Sequence, residues 1–90
     1  MEKQRVRIED WAVVNDVISP SYRNLEPGRR LTGTVFAHAD LPNGIIYTSS
    51  IVHVDLAKGV VETQNRLYIL GQVSEEYRQW REHQGMDRAA

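Results

Sequence analysis

Short apolar runs separated by turn residues dominate the middle of this 90-residue chain. Val, Ile, Thr and Tyr fill these runs, and their branched or flat side chains suit the pleated surface of a sheet. The intervals supply Gly or Asn, which tolerate the backbone reversal of a tight turn. Because the intervals are too short for crossover helices, the pattern predicts an antiparallel meander. The predicted strands are 31–38, 45–54, 60–63 and 67–70.

The 45–54 segment is apolar on both of its alternating faces. A strand buried on both sides would show this pattern. So would a strand bent by a bulge around 48–50, at which the inward face switches. The residues that follow, 55–59, predict a hairpin turn with Gly59 in the left-handed conformation.

The first thirty residues are less regular. Residues 1–8 alternate charged and apolar side chains, which indicates an edge strand or a frayed terminus. Residues 9–18 carry a helical stripe, but their β-branched side chains favour a strand. Pro20 ends that segment. A loop of about a dozen residues follows, and Tyr22 and Leu25 are expected to anchor it.

After the last predicted strand, the apolar period changes to that of a helix. Ser74 is a suitable N-cap, and the two glutamates that follow it complement the helix dipole. Tyr77 and Trp80 continue an apolar stripe that would pack against the sheet, and Gly85 predicts the end of the helix. The helix is predicted over 74–84, the β-region over about 10–71, and loose termini at 1–4 and 86–90.

These elements predict a single domain over residues 1–90 of mainly β (α+β) class. We expect a small, bent antiparallel sheet or an SH3-like barrel of about five strands, with one C-terminal helix.

Composition and charge exclude several classes of protein. Eleven Lys and Arg against twelve Asp and Glu leave a net charge of −1, which is not the basic field of a typical nucleic-acid binder. The absence of cysteine excludes a disulfide framework and a thiolate metal site. The apolar runs are too short to span a bilayer, and the polar N-terminus lacks the apolar stretch of a signal peptide. We therefore expect a soluble cytoplasmic protein.

Two His-x-Asp pairs, His38 with Asp40 and His53 with Asp55, are the strongest candidates for chemistry. On an extended strand, residues i and i+2 share a face, so each pair would present an imidazole beside a carboxylate. Such pairs suit a divalent metal or a general base. Both aspartates, however, lie where strands turn, where Asp is common for backbone reasons, and no third ligand pattern supports a metal. We predict no enzyme activity, no cofactor and no metal.

Four spaced motifs stand out: Gly33-x-Val35-x-x-His38, Asn43-Gly44, Thr48-Ser49-x-Ile51 and Tyr68-x-Leu70-Gly71. This pattern resembles a family of short, uncharacterised bacterial and prophage proteins, over about half of the chain. Many relatives have His-Pro where this chain has His38-Ala39. The family has no established activity, so the resemblance implies no catalytic residue. It implies a mobile-element setting, in which small proteins often inhibit host defence, as anti-CRISPR proteins do.

We therefore expect a non-enzymatic protein-binding module whose partner is a host protein complex, with no membrane involved. The alternative is a small β-barrel that binds single-stranded or structured nucleic acid through loop arginines and through Tyr22 and Tyr47. An exposed edge strand would also allow a homodimer. The predicted partner-binding residues are Tyr22, Arg23, Arg29, Arg30, His38, Asp40 and Asn43.

Overall fold

The computed structural model describes residues 4–36 and 44–89, with side chains described up to residue 84. It is mainly β with a single C-terminal helix, which confirms the predicted fold class. The elements are β1 (Gln4–Val14), β2 (Arg30–Val35), β3 (Gly44–Asp55), β4 (Val60–Thr63), β5 (Arg66–Leu70) and α1 (Glu75–Ala89).

The five strands close into a small barrel in the order β1-β2-β3-β4-β5. Strands that follow each other along the chain pair antiparallel, as the meander predicts. The closing pair, β1 with β5, is parallel. An odd number of strands that alternate in direction must bring the last one back parallel to the first. Among the described strands this order leaves no edge strand, so the predicted edge pairing into a homodimer lacks its edge.

β1 joins two segments that the sequence pattern treats separately. The prediction of a loose terminus over 1–4 is wrong at Gln4, which pairs with Arg66 of β5. The prediction of a strand over 9–18 is wrong beyond Val14. There Asp16 Oδ1 accepts hydrogen bonds from the backbone N–H groups of Val17 and Ile18, and this Asx turn ends the strand.

Of the two alternatives for the 45–54 segment, the structure shows the bulge around 48–50, in β3. Between Tyr47 and Ser50, β3 has two residues where β2 has one. The inward side consequently switches from Thr48 to Ile51, and both side chains are buried. The extra residue bends the strand and lets one chain segment serve both halves of a narrow barrel.

α1 packs across β1 and begins where the sequence predicts. The Ser74 hydroxyl oxygen accepts a hydrogen bond from the Tyr77 N–H, as an N-cap does. Tyr77 is fully buried, and Trp80 stacks on it with ring centroids 5.6 Å apart. The predicted end at Gly85 is wrong, because α1 continues to Ala89. One glycine costs a helix about 1 kcal/mol relative to alanine, and it ends the helix only when it adopts a left-handed cap.

Within the described part of the chain, α1 lacks the length and apolar character that a helical membrane span requires.

Candidate functional site

A concave cleft of about 560 Å³ lies on the outer face of β1, β2 and β3, beside the connection between β1 and β2. Its floor follows the register of the sheet. Ala12 pairs with Thr32, and Thr32 pairs with Tyr47, so these three side chains lie side by side across the strands. The outer faces of β1 and β2 thus form the floor, and the 15–29 connection adds Pro20, Ser21 and Tyr22 to the lining.

Tyr22 forms the wall on the side of the connection. A bridge to Val14 and a hydrogen bond from the Arg23 N–H to the Val13 carbonyl hold this segment on β1. The Tyr22 ring lies edge-on to Tyr77, with centroids 5.4 Å apart. Tyr22 and Leu25 also pack against the core, which confirms the prediction that they anchor this loop. Tyr22 is thus a preformed wall of the cleft.

The opposite wall comes from β3 and is exposed. Ile45 is 77% exposed and Tyr47 is 43% exposed, although both have large apolar side chains. Each pairs with a threonine of β2, so each points outward from the barrel. This wall is accessible to an incoming molecule.

Asp10 lines the cleft and has a strained backbone conformation. Its φ of 50° is the only positive value among the described non-glycine residues. It lies at the β1 bulge, where the register shifts between Glu9 and Ala12. The bulge switches the inward positions of β1 from Val6 and Ile8 to Val13, and it leaves Asp10 exposed. Left-handed backbone at a non-glycine residue costs on the order of 1 kcal/mol, and such strain concentrates at functional sites.

Glu9, next to it, holds the bulge in place. Its carboxylate accepts a hydrogen bond from the Gln72 N–H at 2.7 Å and one from Arg7 Nε at 2.6 Å. The Gln72 N–H and then the Arg7 guanidinium lower the pKa of Glu9 below its usual value. A Cβ at Gly71 would overlap this carboxylate, and a Cβ at Gly33 would overlap Ile8 and the Glu9 carbonyl. Two glycines of the motifs in the resemblance therefore allow the close packing around this bulge.

The structure brings only some of the predicted binding residues together. Tyr22 lines the cleft, but Arg23, Arg29 and Arg30 do not. Arg23 donates to the Tyr22 carbonyl, Arg29 pairs with Glu26 at 3.0 Å, and Arg30 donates to the Thr48 carbonyl at 2.8 Å. The arginines thus serve the loop and the barrel, and they do not form a basic platform with the two tyrosines. His38, Asp40 and Asn43 lie outside the described residues.

His53 and Asp55 lie on the same outer face, as their i and i+2 spacing predicts, and line a second cleft of about 320 Å³ with Arg5 and Lys58. Asp55 Oδ1 accepts a hydrogen bond from the Lys58 N–H, which is the turn role expected of it. Within residues 4–36 and 44–84, no group of three or more metal-binding side chains occurs. The first pair, His38 with Asp40, falls outside the described residues.

Asp10 and Ile45 were not among the predicted site residues. One signal for Asp10 exists in the sequence: an aspartate interrupts a run of strand-forming residues, and Asp tolerates left-handed backbone at a bulge. Ile45 carries no such signal, because its alternation alone does not say which side faces the barrel interior.

The described residues that line the cleft are thus mainly apolar, aromatic and hydroxyl side chains, with Asp10 as the one carboxylate among them. Comparison of the chain with protein-family models, with curated proteins and with solved structures gives no match.

Proposed function

We propose that this protein is a non-enzymatic protein-binding module and that the cleft beside Asp10 is its binding surface. The supporting observation is that Ile45 and Tyr47 are exposed on the concave face. Monomeric proteins rarely group exposed apolar side chains on one face unless that face binds something. Tyrosine is enriched at the centre of protein interfaces and charged residues are depleted there, which fits this cleft.

The partner that we propose is a host protein complex. The resemblance to prophage proteins supports a defence complex, which this chain would inhibit by occupying one of its surfaces, in the manner of an anti-CRISPR protein. The motif glycines of that resemblance contribute to the shape of the site, because Gly33 and Gly71 pack against the β1 bulge that carries Asp10.

Protein binding is favoured over nucleic-acid binding by the positions of the cations. Phosphate binding depends on clustered, available Lys and Arg side chains. No Lys or Arg of the described chain lines the cleft, and Arg7, Arg29 and Arg78 each form an ion pair with a glutamate. The two tyrosines at the cleft consequently lack the cationic neighbours of a single-strand binder.

The test is affinity capture from a nuclease-treated bacterial lysate with two matched variants, Ile45→Ser and Leu56→Ser. Each removes an exposed aliphatic side chain of the same size; Ile45 is 77% exposed and Leu56 is 68% exposed. Leu56 lies in the β3–β4 turn and does not line the cleft. We expect Leu56→Ser to capture the same complex as the wild type, identified by mass spectrometry, and Ile45→Ser to lose most of it. Equal capture by both variants, or capture that requires nucleic acid, would overturn the proposal.

A further inference from the structure

The negative charge in the cleft favours a cationic ligand. Among the described residues that line it, Asp10 is the only charged one. The Asp10 carboxylate is exposed and forms no hydrogen bond or ion pair with any other described residue. Glu9 differs, since its carboxylate is occupied by Gln72 and Arg7. The bulge thus separates two adjacent acids, one that stabilises the fold and one that faces the cleft.

The two tyrosines of the cleft also differ in availability. The Tyr22 hydroxyl donates to Glu76 Oε2 at 3.3 Å, and its ring packs edge-on against Trp80. The Tyr47 side chain makes no hydrogen bond or ring contact with the described part of the chain, and Tyr47 is 43% exposed. An exposed tyrosine ring and an unpaired carboxylate on one surface suit a ligand side chain that has an apolar stem and a cationic head.

The sheet register sets the spacing of these two groups. Asp10 lies on β1 between the residues that pair with Thr32 and Thr34, and these threonines pair with Tyr47 and Ile45 on β3. Neighbouring strands lie about 4.8 Å apart, so the two outer strands are about 10 Å apart. A long side chain laid across β2 would place its head on Asp10 and its aliphatic stem along the β3 wall.

We infer that the cleft binds an arginine side chain of the partner protein, with the guanidinium on Asp10 and the stem against Tyr47. This inference rests on the proposed function and adds the chemistry of its ligand. Arginine fits better than lysine because its planar fork binds a carboxylate through two parallel hydrogen bonds, whereas an ammonium group has no such fork. The flanking residues of the partner are apolar, to cover Ile45 and the threonine floor.

The first test uses short peptides and ¹H–¹⁵N NMR titration of the whole protein. The probes are acetyl-Leu-Arg-Leu-amide and two matched peptides in which citrulline or lysine replaces arginine; citrulline keeps the shape and removes the charge. We expect shifts of the Asp10, Thr34 and Tyr47 amides with the arginine peptide. We expect roughly fivefold weaker binding of the citrulline peptide and intermediate binding of the lysine peptide. Absence of shifts with the arginine peptide at millimolar concentration, or equal affinity for all three, would overturn the inference.

The second test compares two variants that each remove one negative charge, Asp10→Asn and Glu82→Gln. Asparagine tolerates the left-handed backbone, so Asp10→Asn keeps the bulge, and the thermal midpoint checks that it does. Glu82 lies on α1 beside Arg78, away from the cleft. We expect Asp10→Asn to weaken the arginine peptide roughly fivefold and Glu82→Gln to leave its affinity unchanged. Equal affinities of both variants would contradict the role of Asp10.

Capture from lysate separates this inference from the proposed function. Loss of the complex by both Ile45→Ser and Asp10→Asn supports both. If Ile45→Ser loses the complex and Asp10→Asn retains it, the protein-binding role stands and the arginine assignment is wrong. If both variants retain it, the proposed function fails together with the inference.

Discussion

Replacing Gly33 by alanine would place a methyl group where the inside of the barrel is already full. The new Cβ would lie 2.7 Å from Ile8 Cγ1 and 2.8 Å from the Glu9 carbonyl oxygen. Carbon atoms in contact prefer about 3.5–4.0 Å. Ile8 is fully buried, and the Glu9 carbonyl belongs to the bulged backbone, so neither atom can move away freely.

Two opposing terms decide the size of the effect. Overpacking a well-packed core costs about 1–3 kcal/mol. Alanine in place of glycine within a strand recovers about 0.5–1 kcal/mol, because the unfolded chain loses less entropy on folding. We therefore expect Gly33→Ala to lower the free energy of unfolding by about 1–2 kcal/mol. For a domain of this size that corresponds to a drop in Tm of roughly 4–8 °C per kcal/mol.

The cause of this loss can be checked with a double-mutant cycle in urea. Ile8→Ala removes Cγ1 and Cδ1, the two side-chain atoms nearest the new methyl group. On its own, Ile8→Ala leaves a cavity that costs about 2–5 kcal/mol. In the double variant the methyl group added at position 33 enters part of that cavity. The double variant should therefore be more stable than the sum of the single losses predicts, by about 1 kcal/mol or more.

Additivity of the two changes within about 0.5 kcal/mol would refute this reasoning, since it would mean that residues 8 and 33 are not in contact. A Gly33→Ala variant as stable as the wild type would refute it as well. The urea m-value should stay unchanged in all variants, because a change in m would indicate a different unfolded or native state rather than a local clash.

Three further predictions concern single residues. The pKa of Glu9 is lowered, so the hydrogen bond from the Gln72 N–H to its carboxylate stabilises the fold above about pH 4.3 and is lost as the pH falls. The difference in Tm between wild type and Glu9→Gln should therefore become smaller from about pH 7 to about pH 3. A difference that stays constant over this range would contradict the prediction. Burial raises the pKa of Tyr77 to about 12, so wild type should lose stability as the pH rises above about 10. Tyr77→Phe should be less stable than wild type by about 1 kcal/mol at neutral pH, because it lacks the hydrogen bond to the Arg23 carbonyl. Above about pH 10 its Tm should fall less than that of wild type, because phenylalanine has no proton to lose. Tm curves that run parallel over this pH range would contradict the prediction. Asp10→Gly should raise the free energy of unfolding by about 0.5–1 kcal/mol in urea because it relieves the left-handed strain, and a loss of stability would show that the Asp10 side chain supports the fold.

Local signals predicted the hairpins of the barrel well. Gly59 adopts the predicted left-handed conformation, with φ of 65°, and Asp55 Oδ1 accepts the Lys58 N–H within the same turn. The β3 bulge was one of two alternatives for a segment with two apolar faces, and the structure chose it over a strand buried on both sides. These features depend on residues close together in the sequence.

The candidate site was only partly predictable. The prediction correctly placed Tyr22 on a fixed loop, and Tyr22 and Tyr47 do line one cleft. The loop arginines were expected to join them, but their hydrogen bonds to Glu26 and to backbone carbonyls direct them elsewhere. Composition shows which charges a segment carries, but the partners that occupy those charges depend on the folded surroundings.

The sequence by itself determined the class of this protein: a meander of β-branched strands with Gly and Asn turns, and a capped helix that begins after Ser74. Torsional preferences, side-chain alternation and capping act over a few residues, so a single chain reveals them. Only the tertiary structure decided that β1 and β5 close the barrel in parallel, and that the β1 bulge turns Asp10 toward a cleft shared with Tyr22 and Tyr47. The physical reason is that strand closure and the surroundings of each charge depend on contacts between residues distant in the sequence. The hydrogen bond from the Gln72 N–H to Glu9, for example, joins residues about sixty positions apart. Local sequence patterns do not encode such contacts.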